Sequence, residues 1–115
     1  YIMTPHQKRR FPEKVEFMTS AGFIDGKGAR EARGMRGGGM LAVVTDIGIL
    51  EPDESGEMML TALHTGRTAE EAKANTGWNL KVASTLKTTE QVTKKELRIL
   101  REELDPTGIY LKGAT

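Results

Sequence analysis

Apolar residues along this chain follow more than one rhythm, and each rhythm predicts a different element. Residues 41–50, LAVVTDIGIL, are nearly continuously apolar and rich in Val and Ile, which predicts a strand covered on both faces in an α/β sheet. The turn formers of EPDESGE (51–57) and the strand-like MMLTALH (58–64) follow, so this stretch predicts a β-hairpin. In KVEFMTS (14–20) Val15 and Phe17 alternate with Lys14, Glu16 and Met18, the period-2 signature of a half-buried strand. YIM at the start reads as a strand fragment and NLKVAS (79–84) as a short third strand. Near the end, Leu97, Leu100 and Leu104 recur at helical spacing, predicting a surface helix that packs one leucine stripe, pairs Arg98 with Glu102 and stops at Pro106.

Capping chemistry supports two helix starts. In TAEE, Thr68 caps the backbone of Glu71 while the Glu71 side chain reaches back, and TKKE repeats the pattern with Thr93 and Glu96. The first helix is expected to end near NTG, with Gly77 in the left-handed conformation that helix termini favour. TPHQKRRFP (4–12), bounded by prolines, reads as a loop with one short helical turn. Glycines at 22, 26, 28, 34 and 37–39 make 21–40 a long loop, and such loops are usually functional, mobile or resting on a partner. Trp78 is expected to plug the core.

Composition narrows the choices without naming a function. With 115 residues, 37% of them hydrophobic and 29% charged, the chain suits one domain with a modest core. Its formal charge of +1 creates no overall field for nucleic acid or an anionic membrane, so neither is expected as a partner. The absence of cysteine removes disulfides, thiolate metal sites and a cysteine nucleophile. No apolar run approaches the roughly 20 residues of a membrane span, and cytoplasmic location is the default expectation. The chain opens on Tyr1, inside what reads as a strand, which suggests part of a longer polypeptide or a processed terminus.

Candidate chemistry is sparse. GMRGGGM (34–40) brings four glycines and an arginine before the apolar run, yet a phosphate cradle needs converging N–H groups, normally at a helix start. Here the glycines lead into a strand, and the Walker and GxGxxG patterns are absent. The loop reads as a flexible approach whose triple glycine allows close backbone packing, with Arg36 kept as a candidate ligand contact. His6 follows a strand and a proline, where α/β sheets expose functional groups at the carboxyl ends of strands; it is the second candidate. His64 is expected to be structural, the Lys8-Arg9-Arg10 run a solvated or partner-facing patch, and EPDESGE, with four carboxylates in seven residues, a solvated turn. No metal-ligand spacing and no nucleophile beside a base is found.

Taken together, TPHQKRRFPEKVEFMTSAGF, GGGMLAVVTDIGILEPDESGEMMLTALHTGRTAEEAKANTGWNLKVA and TKKELRILREELDPTGIYL resemble the carboxyl-terminal half of the beta subunit of family I CoA-transferases, glutaconate type. The resemblance implies a single partial domain over residues 1–115, α/β, forming part of an open CoA-transferase-like sheet with a β-hairpin and flanking helices. It implies a component of an acyl-CoA:carboxylate CoA-transferase, which moves CoA between a thioester and a (di)carboxylic acid through a glutamate nucleophile. It also implies an alpha subunit and the amino-terminal half of the beta subunit as partners in a hetero-oligomer, with a CoA thioester as substrate and no tightly bound cofactor. The nucleophile belongs to the amino-terminal half, so no catalytic role falls on Glu13, Glu16, Glu31 or the turn glutamates. A family GMGGAMD-like segment precedes the YIMTPH equivalent, whereas GMRGGGM follows it, and chain order argues against equivalence. A CoA-ester hydrolase or decarboxylase of the same fold, and a non-catalytic assembly module, are the alternatives.

Overall fold

A computed structural model describes residues 1–26 and 28–111. Five strands form one open mixed sheet in the order β1 to β5: Ile2–Met3, Val43–Val44, Gly48–Pro52, Met58–Leu63 and Lys81–Thr88. β1 runs parallel to β2, β3 is antiparallel to both its neighbours, and β4 is parallel to β5. Hence β1, β2, β4 and β5 all point one way, and only β3 is reversed. Three helical segments flank the sheet: α1 (Ala29–Ala32), α2 (Ala69–Ala74) and α3 (Lys94–Arg98), the last continuing into a π-helical stretch, Ile99–Leu104.

The apolar run 41–50 is not one strand. Thr45 and Asp46 interrupt it, and the chain reverses between Val44 and Gly48 to give β2 and β3 as a tight hairpin. The Thr45 N–H donates to the Gly48 carbonyl at 2.8 Å, while the Thr45 hydroxyl accepts from the N–H groups of Ile47 and Gly48 at 3.1 and 3.0 Å. A side chain that satisfies turn donors in this way outcompetes strand propensity. Gly48 is required there, because a Cβ would collide with the Ala62 carbonyl of the facing strand. The hairpin expected from the strands 41–50 and 58–64 is present with a shorter first arm, over 48–63, its turn stitched by Asp53 Oδ1, which accepts from the N–H groups of Ser55 and Glu57 at 2.8 and 3.0 Å.

β4 returns to the parallel β5 through α2, as parallel pairing requires a crossover. Both capping boxes are present: Thr68 with Glu71, and Thr93 with Glu96. Ala72 faces inward with no exposed area, against a core that includes Phe11, Val43, Ile47, Leu50, Leu60 and Leu80. Trp78 packs against that core, its ring 6.2 Å from Phe11. The third strand is longer than NLKVAS implies and starts at Lys81. Lys81 bridges Asp53 and Glu57, each at 2.7 Å, and so ties β5 to the turn before β4.

Several expectations give way to the structure. Residues 14–20 form no strand, and Val15, Phe17 and Met18 are 61%, 81% and 62% exposed; alternation alone makes no strand without an edge to pair with. Gly77 is not left-handed: its N–H donates to the Phe11 carbonyl at 2.7 Å, and a Cβ would overlap the backbone of residues 11–13. The loop 21–40 contains the single turn of α1. Arg98 pairs with Glu103, at 3.5 Å, rather than Glu102, because π-helical winding brings residue i+5 to where an α-helix brings i+4. Of the leucine stripe, Leu97 is half-buried while Leu100 and Leu104 are exposed.

Candidate functional site

Because four of the five strands are co-directional, their carboxyl ends share one edge of the sheet. There the chain places Pro5 and His6 after β1, Thr45 and Asp46 after β2, His64 after β4 and Thr89 after β5. Open α/β sheets bind ligands at this edge, since backbone ends and loops rather than packed side chains face solvent.

His6 is buried, 3% exposed, and stacks on Phe11 with ring centroids 4.5 Å apart. Its Nε2 lies 2.9 Å from the Thr76 hydroxyl. That hydroxyl commits its one proton to the Ala72 carbonyl at 2.7 Å, so Nε2 carries a hydrogen and donates. Nδ1 lies 3.2 Å from the Thr45 hydroxyl, whose own proton is directed to the Gly48 carbonyl at 3.0 Å. Burial lowers the His6 pKa, and the Asp46 carboxylate pulls the other way. Burial thus favours the neutral ring.

His64 grips the same residue from the other side. Its Nε2 donates to the Thr45 carbonyl at 2.8 Å, and its Nδ1 meets the Thr89 hydroxyl at 2.7 Å. Both histidines of the chain therefore hold Thr45. Next to it Asp46 is exposed, with Oδ1 accepting the His6 N–H at 2.7 Å. This carboxylate is fixed at the carboxyl edge of the sheet by a turn whose Thr45 is buried.

The sequence singled out His6 but not Thr45, Asp46, Thr76 or Thr89. A signal for two of them was present: a polar Thr-Asp pair inside an otherwise apolar run marks a turn. For Thr76 and Thr89 no local pattern exists, since their partners lie 70 and 25 residues away. Lys8, Arg9 and Arg10 are exposed on the turn that follows His6, a basic margin beside the same edge.

Arg36 lies elsewhere, on the glycine loop, and is exposed; the structure does not bring it together with His6 in any contact. The loop is braced by Arg30, which donates to the Gly22 carbonyl at 2.8 Å and the Arg36 carbonyl at 3.1 Å. Of the triple glycine, only Gly39 makes a close approach, where a Cβ would stand 3.0 Å from the Phe23 ring, while Gly37 and Gly38 face open space. Between this loop and the β3–β4 turn lies a cavity of about 270 Å³ lined by Phe23, Arg30, Met40, Pro52 and Asp53 among others. Among the described residues, no cluster of three or more His, Asp or Glu is placed to hold a metal, and no helix is long and apolar enough to cross a membrane.

No protein-family model matches the sequence. Individual proteins do, and they define the class: in sequence and fold the chain corresponds to part of a CoA-transferase beta subunit. It is 39% identical over 116 residues to the beta subunit of glutaconate CoA-transferase from Acidaminococcus fermentans, a match covering 99% of this chain and 43% of that protein. The crystal structure of that organism's glutaconate coenzyme A-transferase superposes with a TM-score of 0.85 over 96% of this chain and 43% of the other. The beta subunit of 3-oxoadipate CoA-transferase from Pseudomonas knackmussii is 39% identical over 101 residues, 87% of this chain and 39% of that protein. The decarboxylase AibA/AibB shares the fold alone, at 20% identity and a TM-score of 0.69 over 98% of this chain and 40% of that one. The chain thus spans less than half the length of the relatives it matches.

Proposed function

We propose that this chain is a component of an acyl-CoA:carboxylate CoA-transferase that moves CoA between a thioester and a (di)carboxylic acid. The observation that carries the reading is 39% identity running along 99% of the chain to the beta subunit of a CoA-transferase. Its partners are then an alpha-type subunit and the remaining part of a beta subunit, in a cytoplasmic hetero-oligomer, with a CoA thioester as substrate rather than a resident cofactor.

Within that assembly the chain contributes position rather than the nucleophile. The carboxyl edge presents Asp46 on a turn locked by His6 and His64. His6 has both ring nitrogens engaged, so it acts on a ligand through the Asp46 turn. Arg36, exposed on the glycine loop, is the candidate direct contact to a CoA phosphate.

The test reconstitutes this chain with the rest of a beta subunit and with an alpha subunit, and follows the thioester. Transfer requires the acceptor acid; thioester loss without an acceptor overturns the reading in favour of a hydrolase, and CO2 release with the thioester intact overturns it in favour of a decarboxylase. In the active assembly, Arg36→Ala raises KM for the acyl-CoA by about threefold to tenfold with kcat little changed, the effect of removing one exposed charge-assisted contact. An unchanged KM removes Arg36 from the site.

A further inference from the structure

Among the described residues, 13–20 have a strand's sequence without a strand's partners. Val15 and Phe17 alternate with charged neighbours, yet every residue from 12 to 20 is exposed. Among the described residues none of 13–20 forms a backbone–backbone hydrogen bond. The segment is held only at its ends. Before it, Phe11 is buried and its carbonyl accepts the Gly77 N–H at 2.7 Å. After it, Phe23 packs on Gly39 across the glycine loop.

An unpaired backbone, bent at Lys14 and Glu16 and carrying Val15, Phe17 and Met18 at 61%, 81% and 62% exposure, is costly to leave in water. It is also a template for strand addition. We propose that residues 14–19 are a docking strand, which pairs with a sheet edge in the part of the beta-subunit fold that this chain does not span, burying Val15 and Phe17 there.

The occupant follows from length and from the form of the segment. The relatives place more than half of their length outside the match, since the chain covers 43% and 39% of them. That remainder must meet this chain somewhere. The segment offers both what a sheet edge needs, free N–H and C=O groups, and an apolar face at period 2. β1 supports the same direction of assembly: it is an edge strand with one neighbour, and Tyr1 and Met3 are 86% and 83% exposed. The proposal rests on the reading of the chain as part of a beta subunit, but not on the reaction that such an enzyme performs.

The experiment uses this chain and, as a separate polypeptide, the complementary part of the Acidaminococcus fermentans beta subunit. Amide exchange is followed with and without that partner. In the chain alone the amides of 14–19 exchange freely. In the complex alternate amides slow by at least about tenfold, as edge pairing protects every second N–H.

Phe17→Asp weakens association by about tenfold or more and leaves the unfolding midpoint of the isolated chain unchanged, since Phe17 is exposed there. Glu16→Gln, on the opposite face, leaves affinity unchanged. Complex formation with 14–19 still unprotected overturns the proposal, as does full affinity of the Phe17→Asp chain. Protection that arises by self-association, or only when an alpha-type subunit is added, overturns the stated occupant. A complex that protects 14–19 yet transfers no CoA leaves the docking strand standing and refutes the enzymatic reading alone.

Discussion

Thr45 shows how one small polar residue organises the carboxyl edge of the sheet. Its hydroxyl serves two turn N–H groups and His6, and its carbonyl serves His64. The consequence is measurable through His6. Its pKa is held below the ordinary imidazole value chiefly by burial, so the unfolded chain takes up the proton first on acidification. The stability contributed by the neutral ring is complete above about pH 6.5 and is lost as pH falls from there towards the lower folded-state value. Urea unfolding between pH 7.5 and pH 5 is expected to show stability falling with acid, and His6→Gln to flatten that slope while lowering stability overall. An equal slope in the variant would mean that His6 is not the group responsible. His6 was legible in the sequence as a position, through the strand and proline before it. Its closure was not, because Thr76 reaches it from 70 residues away.

Among the elements, those legible in the sequence were the ones whose partners are local. The capping boxes of Thr68 and Thr93 and the hairpin over 48–63 need only neighbouring residues, and all are present. Period fails where the partner is distant or outside the chain. The apolar run 41–50 reads as a single strand because apolar residues fill both arms of a hairpin, and 14–20 reads as a strand though no edge meets it.

The end of α3 is a third case, since π-helical winding leaves no mark in a leucine pattern. There Asp105, buried at 6% exposure, accepts from the N–H groups of Ile109, Tyr110 and Leu111 at 2.8, 3.0 and 2.9 Å. One carboxylate holds the whole following turn. Asp105→Ala should therefore raise amide exchange at those residues by at least about tenfold, while the sheet amides keep their protection. If the sheet amides also loosen, this latch is part of the core rather than an appendage.

For the whole molecule, dimensions and burial agree. The radius of gyration is 16.3 Å, against about 13 Å for a compact domain of this length. The excess accords with elements that extend beyond the core: the docking segment, and a terminal helix whose Leu100 and Leu104 are exposed. Stability of the isolated chain should accordingly reside in the sheet and α2 alone. Leu60, with no exposed area, should cost about 2–5 kcal/mol when cut to alanine. Leu104, 69% exposed, should cost no more than about 0.5 kcal/mol when changed to glutamine. Denaturant titrations of the two variants separate the cases. A loss above about 1 kcal/mol at Leu104 would show the terminal helix folded back on the sheet in solution, and the exposed stripe would then be an internal contact. A loss confined to Leu60 marks the helix as a surface held ready for whatever completes the fold, in the same sense as residues 14–19.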